Sequence, residues 1–337
     1  MKILSISPAK PTKVYEYYWR FAAERQEVFF NKMNGIEPLT KDSILLKYKF
    51  TNTYRASDRV SQYLIRDVIY KGSQKADELF FRIILFKTFN KIETWVRLSE
   101  EFGEIRYSEY SFERYNRFLT GLMSKGVRIY SGAYIMASGS TVFGYKKKHS
   151  NHLRIIEKMM KENVPNKVVD SKSMQSVFEL LRSYPTIGDF LAYQYAIDVN
   201  YSKLTNFSEM SFVVPGPGAF DGIRKCFADL GGLTEIEIIK LMAEKQSEEF
   251  KRFGIDFKDL WGRPMQLIDC QNVFCEIGKY ARVKFPDVKG ESGRVRIKQT
   301  YKPKDDGIQF WYPPKWGINE KVKNYYSKLV KGAQYEF

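Results

Sequence analysis

The stretch SYPTIGDFLAYQYAIDVNYSKLTNFSEMSFVVPGPGAFDG, residues 183–222, carries two turns built to open helices. The first is Pro185-Thr186-Ile187-Gly188, a hairpin between a helix that ends at Tyr184 and one that begins at Asp189 or Phe190. The second, Pro215-Gly216-Pro217-Gly218, opens a third helix. A glycine ahead of a helix start leaves backbone N–H groups exposed at the positive end of the helix dipole, an arrangement that holds phosphate. In a chain of formal net charge +16, this points to the backbone of DNA or RNA.

The rest of the composition agrees. The 337 residues suffice for one large or two ordinary domains, and 44% hydrophobic with 28% charged residues is a globular balance. Lys and Arg outnumber Asp and Glu by 55 to 39, and 23 Tyr and 25 Phe interleave with them, which favours a nucleic-acid partner over a merely solubilising surface. Cys226, Cys270 and Cys275 form neither a disulfide framework nor a zinc spacing and suit a reducing cytoplasm. His149 and His152 stand beside Lys146-Lys147-Lys148 without acidic or thiol neighbours, so no metal site is expected, and three cysteines are too few for an iron–sulfur cluster in a monomer. The start MKILSISPAKPTK lacks the apolar run of a signal peptide, and no stretch is apolar enough to span a membrane. A cytoplasmic protein is expected.

Periodicity predicts a mainly helical, all-α chain. Helices are expected over 13–34, 55–71, 75–90, 92–102 (with Gly103 past its end), 111–124, 149–162, 173–184, 235–252 behind a Thr234/Glu237 capping box, and 265–284. The glycine-broken, β-prone segment 127–145 reads as a short hairpin. From Pro286 the composition shifts, and 279–304 holds nine Lys/Arg against two Asp/Glu, with Trp311, Tyr312 and Trp316 nearby. We therefore expect a helical body over 1–285, in two lobes flanking a cleft, and a basic, aromatic, loop-rich arm over 286–337. That arm is either a clamp that stacks on bases and holds phosphates or a cover whose aromatics pack on the core.

Three polar stripes interrupt apolar helices. Arg55, Asp58, Arg59, Gln62 and Arg66 share one face of a helix over 55–71, as a solvated ion-paired surface or a binding edge. Gln194 and Asp198, with Tyr201 one turn on, lie among Phe190, Leu191, Tyr193, Ala196 and Ile197. A carboxylate there must be paired or put to work. Asp269, Asn272, Glu276 and Lys279 follow helical spacing, with Gln271 at the edge. They form either a structural network or a pocket that reads a flipped base. The sequence has no GxxxxGK[ST] loop, no HxE…CxxC set and no Gly-x-Ser-x-Gly elbow, so P-loop kinase, zinc deaminase and serine hydrolase chemistries are excluded.

The hairpin PTIGDFLA resembles the helix-hairpin-helix of DNA glycosylases. Three blocks narrow the likeness: KFTNTYRASDRVSQYLI (49–65), IGDFLAYQYAIDVNYS with FVVPGPGAFDGIRKCF (187–227), and MQLIDCQNVFCEIGKYAR (265–282). Together they resemble the α-glutamyl/putrescinyl-thymine pyrophosphorylase-like proteins and the helical domain of phage 5-hydroxymethyl-deoxyuridine DNA kinases. The blocks span most of the chain. The resemblance implies a DNA-glycosylase-like all-α fold with small β hairpin or ribbon additions, acting on hypermodified bases in double-stranded DNA. Neither a cofactor nor an obligatory protein partner is expected. Some members are implied to build phage modifications and others to remove them; the attached kinase activity is not carried over. Where glycosylases place a catalytic aspartate this sequence has Pro215-Gly216-Pro217-Gly218, with Glu209 upstream and Asp221 within the helix.

The leading expectation is hydrolysis of the N-glycosidic bond of a bulky modified pyrimidine. Asp198, then Glu209, then Asp269 are the carboxylate candidates. Gln194, Tyr201, Gln271, Asn272 and Glu276 are placed on the base, and Thr186, Gly188, Gly216, Gly218, Arg55, Arg59 and Lys279 on backbone phosphate or polar decoration. A transferase that displaces pyrophosphate from an activated hydroxymethyl-pyrimidine is the second reading, with Arg55, Arg59 and Lys279 on the pyrophosphate. A non-catalytic DNA-binding module is the third. No lysine follows the hairpin at the position a bifunctional glycosylase would favour, where residue 189 is Asp, which favours an enzyme without strand cleavage.

Overall fold

The structure is a computed structural model, and it describes residues 7–134, 136–303 and 309–333. The start of the N-terminal stretch (1–6) and parts of the arm (304–308 and 334–337) lie outside the described residues. In chain order the helices are α1 (Lys13–Met33), α2 (Ser43–Lys47), α3 (Arg59–Tyr63), α4 (Ala76–Phe89), α5 (Ile92–Phe102), α6 (Phe112–Ser124), α7 (Ser140–Phe143), α8 (Lys148–Lys161), α9 (Val164–Val169), α10 (Met174–Arg182), α11 (Asp189–Asn200), α12 (Pro217–Cys226), α13 (Glu235–Arg252), α14 (Leu267–Lys284) and α15 (Asn319–Ala333). A two-stranded antiparallel pair, β1 (Lys10–Pro11) with β2 (Phe227–Asp229), is the small β addition. The mainly helical fold is as expected. No described helix is long and apolar enough to cross a membrane.

The chain forms two compact units. One contains the described residues up to Asp58, Val213–Phe310 and those from Trp316 on; the other contains Arg59–Phe212 and Trp311–Lys315. In the first, α14 is the hub, packing on α1, α12 and α13. Tyr18 of α1 lies against Phe274 of α14, with ring centroids 4.6 Å apart. The α12–α14 crossing is unusually close. A Cβ at Gly222 would overlap the Phe274 carbonyl, and one at Gly278 would sit 3.2 Å from the Gly222 backbone. In the second unit, α4 is apolar almost all round and buried from Glu78 to Phe89, as a central helix must be. α5, α8, α9 and α11 surround it.

Two expectations need correction. The helix over 55–71 is broken: Arg55–Ser57 is a 3-10 turn, Asp58 is extended (ψ 145°), α3 starts at Arg59, and Leu64–Ile69 widens to a π-helix. The cause is local. The Asp58 carboxylate accepts the Asn52 N–H at 2.8 Å, a side-chain bond that competes with helix. The five polar residues therefore do not share one face. The segment 127–145 forms no hairpin among its described residues; Gly139 (φ 69°) and Gly144 (φ 77°) bracket the short α7 instead. The loop-rich arm holds α15, which runs fifteen residues within it. Its ribbon character sits at 299–301, where Tyr48 and Thr300 form an antiparallel bridge.

Candidate functional site

The hairpin forms where the sequence placed it. Ser173 caps α10, accepting the Ser176 N–H. After α10 the chain turns through Tyr184 and Ile187, whose N–H reaches the Tyr184 carbonyl at 3.2 Å. Ile187 is buried and anchors the turn. Thr186, not Gly188, takes the left-handed conformation (φ 69°), while Gly188 is extended with open space around its Cα. No side chain caps the N-terminus of α11, so its first N–H groups stay available to an acceptor.

Nine residues into α11 stands Asp198, fully buried. Lys87, buried on α4, reaches its Oδ2 at 3.1 Å. The Lys87 ammonium also donates to Asn90 Oδ1 at 2.8 Å, at the left-handed C-cap of α4. It sits 4.5 Å from the ring centre of the half-buried Tyr134, which stacks on Phe190, the second residue of α11. The ion pair is thus one side chain below the surface. Gln194 lies one turn before Asp198 and Tyr201 just past the helix, both buried; the Tyr201 carbonyl accepts the Tyr70 hydroxyl at 2.8 Å. Glu209 is buried in the loop that follows. Arg59 belongs to this unit too, 3.8 Å from Glu93. Sequence reasoning missed Lys87, although a lysine within FFRIILFKTF was a readable signal.

His152 shares this unit. Its Nδ1 meets the Tyr130 hydroxyl at 2.8 Å and its Nε2 the Ala137 carbonyl at 2.7 Å, so it is neutral with the proton on Nε2. Burial pushes it down to about 4. Among the described residues no group of His, Cys, Asp or Glu is placed to hold a metal ion.

The other candidates stand in the first unit. Asp269 closes the start of α14, accepting the Gln266 N–H at 2.9 Å on one oxygen and the Arg55 N–H at 2.8 Å on the other. One turn on, Asn272 donates to the Asn52 carbonyl at 2.8 Å and Glu276 accepts the Thr51 N–H at 3.1 Å. Lys279 lies 2.6 Å from Glu276. The stripe on α14 therefore grips the irregular segment 51–58. Arg25 of α1 braces that segment from its other side, 2.8 Å from Asn52 Oδ1. Gln271 is buried, with Oε1 unbonded, and Arg55 is buried as well.

Asp58, placed on the first stripe but not among the carboxylate candidates, is the group this segment brings forward. Burial raises its carboxyl to about 6, against the Asn52 N–H and Arg25, which lower it; Glu276 adds to the rise. A carboxyl near that value exchanges protons at neutral pH.

The second glycine turn has a packing explanation. Gly216 caps α12 without a side chain, but Gly218 faces Cys275, whose Sγ would lie 3.1 Å from a Cβ. Asp221 pairs with Lys225 at 3.3 Å and Arg282 at 3.5 Å, and it accepts the Ser292 N–H at 2.9 Å. Desolvation opposes its charge, yet the Ser292 N–H and Lys225 outweigh it and hold the carboxyl below its ordinary value. It fastens the start of the arm to α12.

The family model described as the 5-hmdU DNA kinase helical domain matches residues 12–290. The chain belongs to that family. A protein of Bacillus phage SP10 named 5-hmdU DNA kinase is 23% identical over 292 residues, covering 81% of this chain and 46% of the relative. The chain thus spans about half the length of the curated relative it matches. No solved structure matches. The stretch that matches the helical-domain family takes in the hairpin, the Lys87–Asp198 pair and the α14 stripe, and it stops at Gly290, before the basic run of the arm.

Proposed function

We propose that the chain acts on double-stranded DNA bearing a modified pyrimidine, swinging the nucleotide out of the stack and hydrolysing its N-glycosidic bond. The observation that carries this reading is Asp198, buried on the helix that follows the hairpin and held by Lys87 at 3.1 Å. Membership of a family named for a 5-hmdU DNA enzyme supports the substrate class. The uncapped first turn of α11, with Thr186 and Gly188, takes a backbone phosphate.

In the reaction the C1′–N1 bond breaks and its electron pair leaves with the base. Positive charge grows on the deoxyribose, and the Asp198 carboxylate stabilises it. A water oxygen bonds to C1′ and gives up a proton to a carboxylate, which passes it to N1 of the departing base, leaving an abasic sugar and the free base. Asp198 carries the charge, Glu209 in the same unit is the second carboxylate, and Gln194 and Tyr201 orient the base. Asp269, with both oxygens taken by backbone N–H groups, comes last.

A second reading, transfer of an amine onto an activated hydroxymethyl-pyrimidine with loss of pyrophosphate, is favoured by Asp58. A carboxyl near 6 suits removal of the proton from an attacking amine. Lys279 and Arg55, in the same unit as Asp58, are its candidates for pyrophosphate, and Asn272, Glu276 and Gln271 for the base.

The test incubates the purified chain with phage DNA carrying modified pyrimidines and with unmodified DNA, and follows bases and nucleosides by mass spectrometry. Free modified base with alkali-labile sites is the expected result, reduced at least about a hundredfold by Asp198→Asn. A heavier nucleoside, formed only with pyrophosphorylated DNA and an amine, replaces hydrolysis by transfer. Salt-sensitive binding with neither product leaves a DNA-binding module.

A further inference from the structure

We infer that residues 294–302, paired with 47–49, form a preset basic ribbon that lies along the phosphate backbone of duplex DNA without reading its bases. This rests on the DNA reading above but concerns a different surface, whose 294–302 strand lies beyond the end of the family match.

The backbone of this ribbon is pinned. Ser292 N–H is held by Asp221, and the Arg296 carbonyl accepts from Arg282 at 3.3 Å. Lys49 N–H bonds the Gln299 carbonyl and Tyr301 N–H the Lys47 carbonyl, each at 3.0 Å. Gly290 lies so close to Asp221 that a Cβ would overlap the carboxylate. Side chains are treated in the opposite way. Arg294, Arg296, Lys298, Lys302, Lys47, Lys49 and Lys289 are all exposed, and Val295 between them is 75% exposed. Among the described residues none of these seven cations is within ion-pair distance of a carboxylate. Among the described residues the local acids are already engaged: Asp287 by Lys13 at 2.6 Å and Glu291 by Arg224 at 3.1 Å.

Seven exposed cations along a fixed main chain make a strip of positive potential that draws a polyanion. The spacing Arg294, Arg296, Lys298 places three cations on one side wherever the chain is extended. The occupant is duplex DNA, the substrate of the reading above, and the ribbon's own aromatics, Tyr48 and Tyr301, are half-buried. Tyr312 is fully buried, Trp311 packs edge-on against Tyr70, and Trp316 lies under Arg263 at 3.8 Å. Of the two roles open to the arm, its aromatics cover core and its cations face outward.

The experiment measures fluorescence anisotropy of the full chain with an unmodified duplex across salt concentrations. The comparison is the triple variant R294Q/R296Q/K298Q against K161Q/K167Q/K172Q, an equal loss of charge at exposed lysines elsewhere. Wild type and the lysine control are expected to share a steep salt slope. The ribbon variant is expected to lose about 0.9 in slope per phosphate contact, about 2.7 in all, so between 50 and 200 mM salt wild type loses about fortyfold more affinity than the variant. Equal slopes for both variants overturn the ribbon and leave the DNA reading standing. No duplex binding by wild type overturns both. Binding only to single strands overturns the duplex assignment.

Discussion

Asp198 and Asp58 are both shielded from water, but by different means. Asp198 is fully buried, with an ammonium at 3.1 Å that is itself fixed by Asn90 and the Tyr134 ring. Asp58 is half-buried and takes one backbone N–H; Arg25 reaches Asn52 rather than the carboxylate. The first arrangement compensates charge by contact and stores stability. The second desolvates a carboxylate without a contacting cation, so its carboxyl rises to about 6. A charge-stabilising role and a proton-carrying role thus call for different local chemistry, and this chain contains both.

Removing the contact should give the largest effect. Asp198→Ala is expected to cost about 3–5 kcal/mol, the usual consequence of leaving a buried charge without its counter-ion. Asp58→Ala should cost far less, since no buried cation depends on it for contact. Urea unfolding of both variants measures the difference, and equal losses would erase the contrast. Next comes Gly222→Ala, expected to cost about 1–3 kcal/mol because α12 and α14 must separate. Its loss should track the first unit, visible as faster amide exchange in α12 and α14 before α4.

Acid should drive the two regions in opposite directions. The folded carboxyl of Asp58 lies above its ordinary value, so the native state binds its proton first. Its contribution to stability therefore rises as pH falls from about 6 to about 4, by at most about 1.4 kcal/mol per unit. His152 lies below its ordinary value, so the unfolded chain binds the proton first and stability is lost as pH falls from 6.5 to about 4. Amide exchange at pH 7 and pH 5 should show the 51–58 segment better protected in acid and the 130–152 region worse. Asp58→Asn and His152→Gln should each flatten one of the two responses.

The sequence made one of these regions more legible than the other. The hairpin, α11 and the embedded Asp198 followed from a glycine-bearing turn and an apolar helical run. Its partner Lys87 was missed because its helix is apolar all round, and periodicity cannot say which neighbour a buried face will meet. Residues 55–58 read as the start of a helix because Arg55, Asp58, Arg59 and Gln62 have helical spacing. What breaks the helix is tertiary: α14 and Arg25 hold 51–52, and Asn52 N–H then claims the Asp58 carboxylate. No local propensity encodes that. α15 was lost to the compositional bias of the arm that precedes it.

The smallest effect sharpens the comparison at its legible end. Ser173 accepts the Ser176 N–H at 3.0 Å and starts α10, the helix leading into the hairpin. Ser173→Ala should cost about 1 kcal/mol, as a lost N-cap does. α10 packs chiefly on α11, so this loss should loosen the hairpin before the α4 core. If the uncapped start of α11 holds a DNA phosphate, the variant should also bind duplex more weakly while the Lys87–Asp198 pair stays intact. Unchanged binding in a measurably destabilised variant would separate the hairpin from the DNA contact and leave the pair on α11 to stand without it.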